Sequence, residues 1–345
     1  MPQVKSDIES FARIRVVGVG GSGQNAINHM IDSKVKGVEF IAINTDAQDL
    51  LYTHANKKIL IGRELTKGLG AGSEPRVGEE AARESEAEIK KSISGSDMVF
   101  ITCGLGGGTG TGSAPVVAEI SKKIGALTVG IVTIPFSMEG QRRYENAVIG
   151  LEKMEQLVDT LIVIPNEKLL ELAPELPLHT AFKVADEILT SAVKGIAELV
   201  TKTGLVNLDF ADVKAVMSNG GVSLIGIGES DSNDRVNEAV ERAINNPLLD
   251  VDISNAGGAL VNIIGGNDMS LEEYKKIMEM IGNKISPDAK LISGAQLSAD
   301  MDKSIKILLI VTGVKSNQIL GSDNELMGSK HNELERELGI DFLEE

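Results

Sequence analysis

Residues 104–113, GLGGGTGTGS, hold six glycines in ten, between an apolar, β-branched run ending at Cys103 and a helix-like run starting near Ser113. A packed core has no use for that density, because each glycine loses extra backbone entropy on folding. What glycine permits is close approach of backbone N–H groups to another group. Adjacent N–H groups opening onto a helix N-terminus form an anion site, and Thr109 and Thr111 add hydroxyl donors. The loop contains no Lys and the chain contains no GxxxxGK(S/T), so this is a phosphate-cradling loop of a kind other than the ordinary P-loop.

The runs around it set the fold class. RIRVVGV (13–19), VEFIAIN (38–44), DMVFITC (97–103), ALTVGIVTI (126–134) and TLIVIP (160–165) read as strands. Helical stretches alternate with them: from about Ser22, then 75–93, 113–124 and 138–158. Near-continuous apolar strands separated by amphipathic helices indicate a parallel sheet covered on both faces. Ligands of such sheets bind beyond the carboxyl ends of the strands, where the glycine loops lie. Residues 179–201 form a long helix with Phe182, Ala185, Ile188, Leu189, Ala192, Val193, Ile196 and Leu199 near 3.6 periodicity. Beyond it VSLIGIG, ALVNIIGG, AKLISGAQL and SIKILLIVTGV alternate with helices near 233–245 and 271–283. The expected architecture is α/β: a Rossmann-like parallel-sheet domain joined by a long central helix to a smaller α+β domain. The boundaries are an arm at 1–12, a first domain at 13–178, the central helix at 179–203, a second domain at 204–315 and an acidic tail at 316–345.

Charge narrows the partners. A net charge of −16 argues against general affinity for nucleic acid, which needs Lys and Arg to displace counterions, and against anionic lipid. The longest uncharged run, 98–118, has membrane-spanning length but too much Gly and Thr to enter lipid, so no membrane insertion is expected. One cysteine, Cys103, suits a reducing cytoplasm and reads as a buried structural thiol. His29, His54, His179 and His331 are scattered, and nothing in their spacing suggests a metal site.

The first strand runs into GVGGSGQN, where Gly18, Gly20 and Gly23 satisfy GxGxxG, and Asp46 follows the second strand where a ribose-binding acid would stand. A dinucleotide-dependent oxidoreductase is therefore one reading. Two further glycine clusters count against it, 104–112 and GLGAG (68–72), the latter after the strand KKILIG. Three such loops at strand ends suit a polyphosphate held by backbone N–H groups from several directions.

GGSGQN, INTDAQ (43–48), GLGAG and above all GGGTGTGS resemble the FtsZ family, the tubulin-like GTPases of cell division, and within it the archaeal members. The likeness continues through FSMEGQRR (136–143), IPNEKL (164–169), AFKVADEIL (181–189) and NLDFADVKAVM (207–217), covering roughly residues 13–314 in the family's motif order. The resemblance implies a GTP/GDP-binding, GTP-hydrolysing subunit that polymerises head to tail into the filaments of the septal ring. It implies that Gly20, Gly21, Ser22, Gly23, Gln24 and Asn25 form the first phosphate loop, with Asn44 and Asp46 as further nucleotide-binding residues. Ala71 and Gly72 would approach the γ-phosphate, and Gly107, Gly108, Thr109 and Gly110 would hold the phosphates. Glu139 would accept from the ribose hydroxyls and Arg143 would contact the sugar–phosphate region, with Mg²⁺ neutralising the remaining charge. Asn166 and Asp186 would read guanine, with Phe182 stacked on it. The chemistry is apt, since guanine presents an N1–H and an N2 amino group that one carboxylate accepts together.

Phosphate loops bind but do not by themselves orient a water in line with the γ-phosphate. The acids Asp209 and Asp212, with Asn207, lie at a predicted helix start, where capping alone would account for one of the pair. In the resembled family this segment completes the active site of the next subunit. The central helix, at ~1.5 Å per residue, carries these acids roughly 30 Å from their own nucleotide, so they are expected to act in trans. A head-to-tail contact that does not close gives a filament. The tail at 316–345 is short and acidic, with Phe342–Leu343 as a short motif for division-ring adaptors. A tubulin-like filament for cell shape or plasmid partition would keep every nucleotide residue and differ only in task.

Overall fold

A computed structural model describes residues 12–172, 178–202, 204–206, 208–249 and 252–314. The amino-terminal half runs β1 (Ile14–Val19), α1 (Gly20–Asp32), β2 (Val38–Asn44), α2 (Ala47–Tyr52), β3 (Lys57–Leu60), α3 (Arg63–Thr66), α4 (Pro75–Glu84) and α5 (Glu86–Ile93). It continues through β4 (Met98–Gly104), α6 (Thr109–Lys123), β5 (Leu127–Ile134), α7 (Gln141–Leu157), β6 (Thr160–Pro165) and α8 (Asn166–Leu172). After α9 (Leu178–Thr201) follow α10 (Phe210–Met217), β7 (Gly221–Ser230), α11 (Arg235–Ile244), β8 (Gly258–Gly265), α12 (Leu271–Gly282), β9 (Lys290–Leu297) and β10 (Ile305–Thr312).

Strands β1 to β6 pair in parallel in the order β3-β2-β1-β4-β5-β6, the doubly wound arrangement. They read as apolar runs because both faces are covered; Val16, Val17, Phe100, Ile101, Val129 and Ile131 are fully buried. The sheet does not stop at β6. Thr160, Leu161 and Ile162 pair in parallel with Gly221, Val222 and Ser223 of β7. The order then goes on β7-β10-β8-β9, with β10 antiparallel to both its neighbours and β9 at the edge. This is a parallel-sheet α/β domain followed by a carboxyl-terminal α+β part, with α9 between them in sequence.

Helix α9 buries the predicted stripe, from Ala185 and Leu189 through Ala192, Val193 and Ile196 to Leu199. It is tied to both parts: Thr190 Oγ1 lies 3.0 Å from His29 Nδ1 on α1, and Gly195 O accepts from Asn262 Nδ2 of β8 at 3.1 Å. No helix among the described residues is long and apolar enough to cross a membrane.

Two helices differ from the sequence expectation. The stretch 75–93 is two helices broken at Ser85, whose Oγ accepts from Gly62 N at 3.2 Å; a distant backbone donor takes the side chain at the break. Helix α6 begins at Thr109 rather than near Ser113, with Pro115 inside it, so the threonine–glycine stretch is its own first turn. That turn is held by α4, backbone against backbone. A Cβ on Gly112 would penetrate the Pro75 carbonyl, one on Gly78 would penetrate the Gly108 carbonyl, and Ser113 Oγ donates to Gly78 O at 2.7 Å.

This contact predicts a selective lesion. Gly112→Ala should destabilise the fold by about 1–3 kcal/mol, the usual cost of overpacking. Gly257→Ala, whose Cβ would meet its nearest neighbour at 3.8 Å, should be near neutral. Equal denaturant midpoints for the two variants would refute backbone-on-backbone packing at α4 and α6.

Candidate functional site

Strand β1 continues to β2 on one side and β4 to β5 on the other, so the loops after β1 and β4 part there and leave a crevice. A cavity of about 510 Å³ opens at that point. Its wall is built from Val19, Gly20, Gly21, Ser22 and Asn25 after β1, and Gly104, Leu105, Gly107, Gly108, Thr109 and Gly110 after β4. Thr133 and Pro135 after β5, Glu139, Arg143, Asn166, Ala185 and Asp186 complete it.

The phosphate-like end is defined by two helix starts. Helix α1 begins at Gly20, where φ of +72° turns the chain sharply, and a Cβ there would lie 3.0 Å from Gly110 N in the first turn of α6. Neither α1 nor α6 has a side-chain cap or an acidic residue in its first turn. Side-chain caps do occur in the chain, with Asp46 accepting from Gln48 N and Asp49 N at α2 and Ser270 from Glu273 N at α12. Helices α3, α4, α5, α7 and α11 also lack one, so what distinguishes α1 and α6 is that both starts line one cavity. Two uncapped N-termini facing one cavity leave N–H donors and partial positive charge for a bound anion.

The other end suits a base. Asn166 is buried and its Oδ1 has no hydrogen-bond partner among the described residues. Asp186 makes no hydrogen bond among the described residues, and burial pushes its carboxyl up to about 6. An orphaned acceptor and a desolvated carboxylate are what donors on a ligand would relieve. Between the ends, Glu139 accepts from Phe136 N at 2.9 Å and from Arg143 Nη1 at 2.6 Å, which holds both side chains on the wall.

The structure separates the predicted residues into two groups. Gly20, Gly21, Ser22, Asn25, Gly107, Gly108, Thr109, Gly110, Glu139, Arg143, Asn166 and Asp186 line the cavity; Gly23, Gln24, Asn44, Asp46, Ala71 and Gly72 do not. A helix start has an inner face as well as an outer one. Gly23 faces inward, where a Cβ would come 2.5 Å from Thr102 O, so it packs α1 on the sheet. Gln24 is buried and accepts from Asn44 Nδ2 at 2.6 Å, and Asn44 Oδ1 in turn accepts from Asp46 N at 3.2 Å. Ala71 is buried against Gly108, where a Cβ would lie 2.8 Å from its own. Thr109 Oγ1 lies 2.6 Å from Thr45 Oγ1, so its hydroxyl is already shared within the protein. The Phe182 side chain and Asn207 lie outside the described residues, as do 1–11 and the tail.

Thr133, Pro135, Val19, Gly104, Leu105 and Ala185 were not predicted as site residues. Their signal was available in outline: they terminate adjacent parallel strands, flank a glycine loop, or precede Asp186 on α9. Cys103 is buried beneath the loop, and desolvation pushes its thiol up to about 12, which makes it inert.

Asp209 and Asp212 are exposed on the start of α10 and do not line the cavity. Asp209 caps α10, accepting from Asp212 N at 2.8 Å. The Asp212 carboxylate makes no hydrogen bond among the described residues. Capping explains one acid of the pair and leaves the other free.

Comparison with known proteins accords with this geometry. The family model for the Tubulin/FtsZ family, GTPase domain, matches residues 13–174, and that for the FtsZ family, C-terminal domain, matches 221–315. Cell division protein FtsZ 1 of Thermococcus kodakarensis is 61% identical over 314 residues, covering 91% of this chain and 84% of that protein. FtsZ 1 of Archaeoglobus fulgidus is 56% identical over 330 residues, covering 96% and 88%. An empty FtsZ dimer from M. jannaschii superposes with a TM-score of 0.86 at 57% identity, covering 90% of this chain and 91% of that one. CetZ2 from Haloferax volcanii, in a GTPγS-bound protofilament, shares the fold alone, with a TM-score of 0.79 at 18% identity over 95% and 100% of the two chains. With two uncapped helix starts at one end of the cleft, a desolvated carboxylate at the other and both domains of the family in order, this chain belongs to the FtsZ family of tubulin-like GTPases.

Proposed function

We propose that the cavity binds GTP with its phosphates on the starts of α1 and α6 and its guanine on Asp186 and Asn166. We propose too that hydrolysis is completed by Asp209 and Asp212 of the adjoining subunit in a head-to-tail filament at the division site. The observation that carries this reading is the pair of uncapped helix N-termini meeting at one end of a cleft whose other end holds a half-buried Asp186 that makes no hydrogen bond among the described residues. A dinucleotide-dependent oxidoreductase would share the strand order, because fold alone does not choose the chemistry. The family, and the carboxylate at the base end, favour GTP.

Each residue then has a physical task. Backbone N–H groups of Gly20, Gly21, Gly107, Gly108, Thr109 and Gly110 carry the phosphate charge. Ionised Asp186 accepts from guanine N1–H and N2, which adenine cannot match. Glu139, braced by Arg143, faces the ribose. No group of three His, Cys, Asp or Glu that could hold a metal stands among the described residues. A Mg²⁺ ion is therefore expected to sit mainly on phosphate oxygens and water, where it would neutralise charge. Free Asp212 is the residue fitted to orient water on a neighbour's γ-phosphate. Self-association has support in the relative from M. jannaschii, which was solved as a dimer. The mid-cell ring and an adaptor bound through residues 316–345 complete the proposal.

Three outcomes test it. If the active site is shared, GTPase activity per subunit should rise from near zero above a threshold protein concentration, in step with sedimentable polymer. A constant rate per molecule down to nanomolar protein would exclude sharing.

For the base, Asp186→Asn should weaken GTP binding by about 1.5–3 kcal/mol, tenfold or more, and xanthosine triphosphate should regain part of it because its C2 oxygen accepts from the amide. The raised carboxyl also has a stability signature. Its contribution is fully present below the ordinary carboxylate range and is lost as pH rises through about 6. Wild type without nucleotide should therefore lose roughly 1–3 kcal/mol relative to Asp186→Asn between pH 4 and pH 7. Parallel stability curves for the two proteins would place the carboxyl in water.

For the acids, Asp212→Ala should bind GTP normally and hydrolyse little, whereas Thr109→Ala, which breaks the Thr45–Thr109 hydroxyl pair that holds the first turn of α6, should lose affinity in its own pocket. Mixed, the two should recover activity that neither has alone, at junctions where an intact pocket meets an intact acid. Co-sedimentation without recovery would rule out action in trans.

A further inference from the structure

Strand β9 ends the sheet, so one of its sides has no strand neighbour. Such an edge presents unpaired N–H and C=O groups. At Ala295 these groups are taken by the segment that leaves α9. Ala295 O accepts from Leu205 N at 2.8 Å and from Val206 N at 3.3 Å, and Ala295 N donates to Val206 O at 3.3 Å. Val206 and Ala295 thus form an isolated antiparallel bridge, while Ala295 keeps its parallel register with Ile263 of β8. Gly204 lets the segment come this close, since a Cβ there would fall inside the contact distance of the Ala295 carbonyl oxygen. Gly294 borders the same segment: a Cβ there would lie 2.4 Å from Leu199 Cδ2 on α9 and in ordinary contact with Val206 O at 3.5 Å and Leu208 Cδ1 at 3.6 Å. Just beyond, α10 is fastened to the same sheet, with Lys290 Nζ of β9 donating to Ala215 O at 3.4 Å.

We propose that the Val206–Ala295 backbone bridge, with Gly204 as the residue that admits it, positions Asp209 and Asp212 for the neighbouring subunit's nucleotide. The proposal rests on the reading of these acids as acting in trans. Its physical basis is that Asp212 is exposed and its carboxylate has no hydrogen-bond partner among the described residues, while Asp209 is committed to capping α10. Among the described residues no side-chain network aims Asp212. Its place is set by where the backbone crosses the edge of β9 and enters α10. Misplacement of a reacting or water-orienting group by about 1 Å can lower a rate by about a hundredfold. Gly204 and Ala295 are absent from the nucleotide cavity, so they act through the acids and not on the nucleotide.

The test uses two variants made from opposite sides of the bridge. Gly204→Ala adds the methyl group that meets the Ala295 carbonyl. Ala295→Pro deletes the N–H that Val206 O accepts, at an edge where proline leaves the β8 pairing intact. Both should bind GTP and sediment as filaments like wild type, with the rate per assembled subunit lowered about tenfold or more. Mixed with Thr109→Ala, Gly204→Ala should recover activity, because its intact pocket meets that partner's intact acids. Mixed with Asp212→Ala it should recover none, because both lack a working acid. Wild-type rates from both variants in sedimented filaments would overturn the proposal, as would recovery with Asp212→Ala. If Thr109→Ala and Asp212→Ala fail to complement each other, the trans reading itself falls and takes this inference with it. If Gly204→Ala does not fold by circular dichroism, Ala295→Pro in the same mixtures decides the matter.

Discussion

Helices α1 and α6 start with backbone donors that no side chain among the described residues caps, and the two starts nearly touch at Gly20 and Gly110. Two positive helix ends held side by side repel, and their N–H groups lack partners until an anion arrives. The surrounding fold keeps them in place regardless. Gly23 packs α1 onto the sheet, and Gly78 and Gly112 lock α6 to α4 through backbone contact. The cleft is preorganised because the glycines that build it face inward as often as outward.

A second layer connects that cleft to the surface. The turn at Thr45 and Asp46 meets α6 through the Thr45–Thr109 hydroxyl pair and α1 through Asn44 and Gln24. It meets the third glycine loop through Gly70 N donating to Thr45 O and through the Asp46–Leu69 bridge. Leu69, at 84% exposure, stands at the tip of that loop. One short turn thus touches α1, α6 and the exposed Leu69 loop, which joins the cavity wall to the surface through contiguous contacts.

Helix α9 provides the other connection. Near its start, Asp186 is in the cavity wall; its final turns lead to Gly204, Val206 and the acids of α10. On the proposed reading, recognition of the base and supply of the catalytic acid are built on opposite ends of one rod. A subunit would then have a complete binding site and an incomplete catalytic one, and the division would follow from the length of the rod.

What the sequence by itself determined is whatever depends on local chemistry. Apolar β-branched runs marked β1, β2, β4, β5 and β6, 3.6 periodicity marked α9, and glycine density marked the loops, because each signal is read over a few neighbouring residues. The base-end pair Asn166 and Asp186 and the acids at Asp209 and Asp212 were legible through the motifs that resemble the family. Tertiary structure alone decided sidedness. It turned Gly23, Gln24, Asn44 and Ala71 away from the cavity, broke the helix at Ser85 by giving its hydroxyl a distant donor, and began α6 at Thr109. It also joined β7 to β6 in one sheet and laid Val206 on the edge of β9. Those choices rest on contacts between segments far apart in the chain, and neither periodicity nor propensity carries information over that distance.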